Sequence, residues 1–350
     1  MEIDEKVIKK VKSKIYDRYN WASITTGAQM LLATGIATCI ELFLMFIIMM
    51  KQGGGTDLAE VLGKVSEYAM IVAGISYIIA NLVCAFGGLK FSKTGKMREY
   101  IKKPELGALD ITLGALAVLG ISGIDSCIMS ALSVIFDSSS KALEATLTGG
   151  LYSDKLWVAA GSLAYIAVIG PITEEILFRG TVLASSSHIS PKVGIVASAL
   201  LFGLMHGNIT QLYNAFLLGI LLGYITLKSR SIIPGIIAHV ANNTIAVITQ
   251  FIADNMSESG ASTFNWIFNI AVGVIGIVAI VFLIKRNGDI DDSKDTYKIN
   301  LPVPKEYMDQ VVTAQNPMKF KTFFSTWAFW CVVAYALLNS ALVILLGNSM

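Results

Sequence analysis

Two acidic residues, Glu174 and Glu175, and a basic one, Arg179, stand inside the stretch Pro171–Gly180, PITEEILFRG, which is otherwise apolar, as are its flanks. On a helix Glu175 and Arg179 are i and i+4 and share a face, whereas Glu174 is turned away by about 100°. The spacing therefore gives one carboxylate a partner and leaves the other without one. A carboxylate in apolar surroundings, beside a second negative charge, binds a proton more readily than one in water. That suits a general base working near neutral pH. The same residues also fit a packing ion pair plus an acid near a helix start after Pro171. Ionisable groups within membrane segments nonetheless point to function first.

Three further polar positions follow. One apolar segment ends in Phe202-Gly-Leu-Met-His206-Gly, and the next but one contains His239-Val-Ala-Asn242-Asn243. His239 and Asn243 are i and i+4 on one helix face, while Asn242 points elsewhere. A histidine and an asparagine in such places also serve as interhelical hydrogen-bonding glue. The chain has only 3 histidines. His188 falls in a Ser-rich turn before Pro191, so the other two lie deep in apolar segments on different helices from the acid pair. That pattern is expected when helices converge on one polar pocket. Water attack on a peptide carbonyl needs a base, which Glu174 with His206 supplies, and donors for the oxyanion, which Asn243 and His239 supply. One such donor is typically worth ~10²–10³ in rate.

The elements that position these groups are membrane helices. Of 350 residues, 54% are hydrophobic and 15% charged, and mean hydropathy is +0.65. Soluble domains carry roughly 25% charged residues, so the expected fold class is all-α, a polytopic transmembrane bundle. About nine spans are expected, at 25–50, 68–89, 107–135, 160–187, 193–208, 212–227, 232–252, 264–284 and 323–347. With the N-terminus cytosolic, 22 of the 27 Lys and Arg fall on the inner side and 4 on the outer, the remainder being Arg179. That asymmetry sets the N-terminus in and the C-terminus out. Beginning the embedded part of the fourth span near Tyr165 puts Glu174 ~14 Å deep at 1.5 Å per residue, level with His206 and His239. A bend at Pro171 would help this alignment.

Four regions follow: a basic, amphipathic cytosolic segment over 1–22, an accessory three-helix transmembrane region over 23–150, a catalytic transmembrane core over 151–255, and two further spans over 256–350 with a cytosolic loop at 285–321. The first segment fits a helix lying on the membrane surface, or a frayed tail. Gly219 and Gly223 form a small-xxx-small pair expected to bring helices close. Cys39, Cys84, Cys127 and Cys331 have no metal or redox spacing and read as separate thiols. Glu41, Asp110 and Asp125 also lie in spans. They suggest helix capping, interhelical pairing or a transport path, although no inverted repeat supports the last.

Taken in order, EExxxR, FxxxH and HxxxN on three membrane helices resemble the CPBP family, the CAAX prenyl protease and bacteriocin-processing group of intramembrane glutamic proteases. The resemblance covers about residues 155–250 and shows no departure at the motif positions. It implies that Glu174 is the catalytic glutamate, that His206 helps it hold and activate a water, and that His239 and Asn243 stabilise the oxyanion. Glu175 and Arg179 would order the site, and Phe202 is the aromatic of the second motif. It further implies a metal-independent, cofactor-free endopeptidase with no acyl-enzyme. The substrates would be lipidated or hydrophobic-tailed peptides or proteins, and nucleic acid is not expected as a partner. The protein is expected to be a multi-pass integral membrane protein, in the cell membrane if its source is prokaryotic. Two rivals stay open: a non-catalytic scaffold, immunity or regulatory protein that keeps the fold, and a zinc protease built on the histidines and a carboxylate, although HExxH is absent.

Overall fold

The computed structural model describes residues 5–52, 57–151, 154–187, 190–291 and 319–347. His188 and Pro302, Pro304 and Pro317 of the expected 285–321 loop lie outside them. The described residues contain helices and no strand. The long elements are α1 (Glu5–Gln52), α3 (Ala69–Ser92) and α4 (Ala108–Leu151). A compound helix follows, made of α5 (Leu156–Ala164), α6 (Gly170–Leu177) and α7 (Leu183–Ser186) joined by two π-helical turns. Then come α8 (Pro191–Met205), α9 (Ile209–Ser229), α10 (Ile233–Asp254), α11 (Glu258–Asn287) and α13 (Trp327–Gly347). Two short helices, α2 (Leu58–Ser66) and α12 (Lys319–Phe324), precede α3 and α13.

Seven of these stretches are long and apolar enough to cross a bilayer: Tyr16–Lys51, Ala69–Ser92, Ala108–Ala131, Leu156–Ser186, Gln211–Ser229, Ile233–Asp254 and Glu258–Asn287. The chain is thus a multi-pass membrane protein. The other two expected spans fold as apolar helices of shorter described extent, Pro191–Met205 and Trp327–Leu342. For α8 the reason is plain. It starts at Pro191, is capped by the Ser190 hydroxyl, which accepts from the Val193 N–H, and stops at Gly207, whose φ is +64°. Its 15 residues extend ~22 Å at 1.5 Å per residue, short of the ~30 Å hydrocarbon layer. The basic N-terminal segment is helical, but as the continuous first part of the 48-residue α1. The third expected span continues as helix well beyond 135, to Leu151.

Two packed cores hold the bundle. One gathers Tyr19, Cys84, Phe178, Phe202, Phe323 and Phe329 and joins α1, α3, the compound helix, α8, α12 and α13. The other, with Ala117, Leu222, Ile225, Ala238 and Leu283, joins α4, α9, α10 and α11. Because lipid is as apolar as leucine, close backbone approach matters more here than burial. A Cβ on Gly120 would sit 2.3 Å from the Cα of Gly276, so α4 and α11 cross backbone to backbone. The expected glycine pair serves the same end. Gly219 lies against Ala199 and Gly223 against Ile195, which seats α9 on α8. Asp110 pairs α4 with the end of α11, accepting from Arg286 Nε at 2.7 Å and Asn287 Nδ2 at 3.2 Å.

The connection between α3 and α4 is tied to the α9–α10 turn. Ile232 N–H donates to the Tyr100 carbonyl at 3.0 Å, Glu105 N–H to the Ser229 carbonyl at 2.9 Å, and the Ser231 hydroxyl to the Lys102 carbonyl at 2.5 Å. Tyr100 gives its O–H to the Thr94 carbonyl, and burial pushes its phenol well above the usual range. These bonds fix the start of α10, the helix that carries His239 and Asn243.

Candidate active site

The acid pair lies on a helix widened on both sides. At the first π turn, Tyr165–Ile169, the Gly170 N–H reaches back five residues to the Tyr165 carbonyl. Pro171 has no N–H to give. The Ile166 carbonyl, which residue 170 or 171 would ordinarily serve, takes the Asn243 side-chain amide at 3.0 Å instead. The irregularity expected at Pro171 is therefore a register change that frees one carbonyl for a side chain on α10. At the second turn, Phe178–Val182, the Leu183 N–H reaches the Phe178 carbonyl. Isolated π turns often mark functional positions.

Glu175 is wholly buried and is the hub of the charges. Its Oε1 lies 3.0 Å from Arg179 Nη1 and 3.0 Å from His239 Nδ1. Arg179, also 0% exposed, is covered by the Phe202 ring at 4.5 Å and reaches the Gly219 carbonyl at 3.5 Å. Gly219, which lets α9 approach α8, thus also presents a carbonyl to the guanidinium. Gly235 at the start of α10 leaves the space that Glu175 occupies, since a Cβ there would be 2.9 Å from Oε2. The i,i+4 pairing of Glu175 with Arg179 is as expected. The added partner, His239, is not something the spacing revealed.

The Glu174 carboxylate makes no hydrogen bond among the described residues, and the side chain is 13% exposed. Its Oε2 lies 3.8 Å from His239 Nε2, beyond hydrogen-bonding range but within reach of a shared water. His239 therefore stands between the two carboxylates. His206 caps α8, and its Nδ1 lies 2.9 Å from the Phe202 carbonyl. A carbonyl only accepts, so Nδ1 carries the hydrogen and the neutral ring presents Nε2 as a base. Both imidazoles stand edge-on to Phe202, at 5.1 Å for His206 and 5.8 Å for His239. His206 is in electrostatic contact with Glu174, His239 and Arg179. The structure thus brings Glu174, Glu175, Arg179, Phe202, His206 and His239 into one cluster, with Asn243 bonded to the backbone ahead of the acids.

Several residues around this cluster escaped the sequence reading. Asn242 does not point away: its amide donates to Asn243 Oδ1 at 3.2 Å, which orients the Asn243 side chain. Tyr165 and, on α3, Tyr77 are in electrostatic contact with Glu174. Asn339 and Ser340 of α13 both donate to the Gly207 carbonyl, at 3.2 and 2.9 Å, beside His206. None of these belongs to a recognisable short motif. Tyr77 and Asn339 lie ~100 or more residues in sequence from the acids, and only the packing of α3 and α13 joins them.

A family model described as type II CAAX prenyl endopeptidase Rce1-like matches residues 156–245. These residues are an Rce1-like domain of the CPBP family. No curated protein and no solved structure matches the chain. The Rce1-like domain runs from the start of α5 into α10 and contains all seven residues singled out above. The family is one of proteases. Among the described residues, no three His, Cys, Asp or Glu side chains come together as a metal-binding group.

Proposed function

We propose that the protein is an intramembrane endopeptidase that hydrolyses peptide bonds of lipidated or hydrophobic-tailed substrates with water activated by Glu174 and His206. The observation that carries this reading is the division of labour between the acids. Glu175 is bound by Arg179 and His239 at 3.0 Å each, while the Glu174 carboxylate has no hydrogen bond among the described residues and faces the second nitrogen of His239 at 3.8 Å. Glu174 is the carboxylate available for chemistry.

In the reaction, the oxygen of a water held by Glu174 and His206 Nε2 attacks the scissile carbonyl carbon as one of its protons passes to Glu174. The carbonyl π electrons move onto oxygen. Asn243 spends one N–H on Ile166 and keeps the second for this oxyanion. His239 gives its Nδ1–H to Glu175, so it can donate from Nε2 only when the ring carries both protons. The tetrahedral intermediate collapses by breaking the C–N bond, and the proton on Glu174 goes to the leaving amine. No serine, threonine or cysteine takes part, so no acyl-enzyme forms. We also propose a cytosolic N-terminus and placement in a cell membrane, from the distribution of Lys and Arg.

The test uses purified protein in detergent with membrane-anchored peptides and compares wild type, Glu174→Ala and His206→Ala, each with and without chelator. Cleavage by wild type that both substitutions abolish supports the reading. Equal cleavage by wild type and Glu174→Ala refutes it. Loss on chelation that zinc restores would replace it with the metalloprotease alternative. A Glu174→Gln protein that keeps its full cellular phenotype would favour the scaffold.

A further inference from the structure

The residues matched to the family begin at 156, yet the turn bearing Glu174 is held from outside them. Asn81 of α3 is wholly buried, and its Nδ2 donates to Thr173 Oγ1 at 3.1 Å. Thr173 in turn gives its hydroxyl hydrogen to the Gly170 carbonyl at 3.0 Å. The two bonds form a directed chain, from amide to hydroxyl to carbonyl. It runs from α3 to the turn Gly170–Glu174 that follows the first widening. A residue there only to fill space would be apolar. Asn81 is polar at 0% exposure, and its Oδ1 has no partner. Such a group is costly in a lipid-bounded core and is retained for the bond that it makes.

Two neighbours give the bond leverage. Tyr77 lies one turn earlier on the same face of α3 and is in electrostatic contact with Glu174. One turn later, the Ala85 carbonyl accepts from Thr181 Oγ1 at 3.0 Å. Gly88 lets Thr181 and Thr25 approach to within 2.9 Å of where its Cβ would be. α3 is therefore fixed to the compound helix at a second level, and the Asn81–Thr173 bond acts on the acid-bearing turn from an anchored position.

We infer that Asn81 is a positioning residue for Glu174, holding through the Thr173 hydroxyl the turn that presents the catalytic carboxylate. The inference rests on the proteolytic reading for its consequence in rate, but not for its effect on the carboxylate. The ionisable groups facing Glu174 are Glu175 and Arg179 on its own helix, Tyr165 before it, Tyr77 on α3, His206 on α8 and His239 on α10. Changing Asn81 leaves all of them in place.

The experiment has two readouts, made on Asn81→Ala and on the near-isosteric Asn81→Leu, so that a folding failure of one leaves the other. The first is peptide hydrolysis. A kcat lower by about five- to tenfold with KM unchanged is expected, the loss of one hydrogen bond's orienting effect. The second is an infrared pH titration of the Glu174 carboxyl band, assigned by difference from Glu174→Gln, and its midpoint should move. Thr173→Val should reproduce both effects, Thr173→Ser should rescue them by keeping the hydroxyl, and Asn81→Ala/Thr173→Val should be no worse than either single change. Wild-type kcat and an unmoved band in both Asn81 variants would overturn the inference, as would effects that multiply in the double variant. If Glu174→Ala cleaves like wild type, it is the proteolytic reading that fails, and the infrared titration alone decides the role of Asn81.

Discussion

The buried charges around Glu175 make a prediction that does not depend on catalysis. Glu175 and Arg179 are both 0% exposed and 3.0 Å apart. Removing one partner of such a pair strands the other in a low-dielectric interior, at a cost of about 3–5 kcal/mol. Here the two removals are not equivalent. Glu175→Gln leaves Arg179 with the Gly219 carbonyl at 3.5 Å, the Phe202 ring at 4.5 Å and the charge of Glu174, but with no ion pair at 3.0 Å. The cost should fall near the upper end, about 5 kcal/mol. Arg179→Met leaves Glu175 with His239 Nδ1 at 3.0 Å. That contact gives the stranded carboxylate a remaining hydrogen-bond partner, so the cost should fall near about 3 kcal/mol. Glu175→Gln/Arg179→Met strands no charge and should lie within about 1–2 kcal/mol of wild type.

Unfolding by sodium dodecyl sulfate in mixed micelles gives these free energies. The reasoning is refuted if either single substitution costs less than about 1 kcal/mol, or if the double variant loses the sum of the singles. It also fails if Arg179→Met proves the more damaging of the two.

Two further outcomes follow from backbone features. Pro171→Ala supplies an N–H that can serve the Ile166 carbonyl and release Asn243. It should leave melting in detergent unchanged or raised while kcat falls by up to ~10²-fold, and Asn243→Ala added to it should cost no more. Gly207→Ala places a Cβ 2.4 Å from Asn339 Nδ2 at a φ of +64°. It should lower stability by about 1–2 kcal/mol for the left-handed backbone alone and slow hydrolysis through His206, whereas Asn339→Ala should slow hydrolysis without the backbone cost.

The helical class and the acid–base cluster were legible because each rests on short-range pattern. Long apolar runs fix the first, and i,i+4 spacing brings Glu175 to Arg179. What the spacing could not give is the third dimension of the cluster. His239 and Asn243 share a face as expected, yet they part at the site. His239 goes to Glu175, while Asn243 goes to a carbonyl freed by a π turn ahead of Pro171. A register change of that kind leaves no periodic mark in a run as uniform as Ala164–Gly170. At α8 the helix is shorter than the expected span for a similar reason. Apolarity shows what can enter a membrane, but a proline start and a left-handed glycine stop set the length.

The boundary of the matched family segment is therefore not the boundary of the site. His206 sits at a helix end whose next carbonyl is held by two donors from α13. Glu174 sits on a turn whose preceding hydroxyl is held from α3. Phe178 and Phe202, which meet edge to face at 5.1 Å, belong to the same core as Phe323 and Phe329. Bonds from the flanking helices on both sides reach residues adjacent to the proposed base and its histidine. A hydrogen bond to a backbone carbonyl or a neighbouring hydroxyl demands no particular sequence of the domain it supports. Helices with no recognisable motif can thus hold catalytic side chains in register, and the constraint they exert is visible only in the fold.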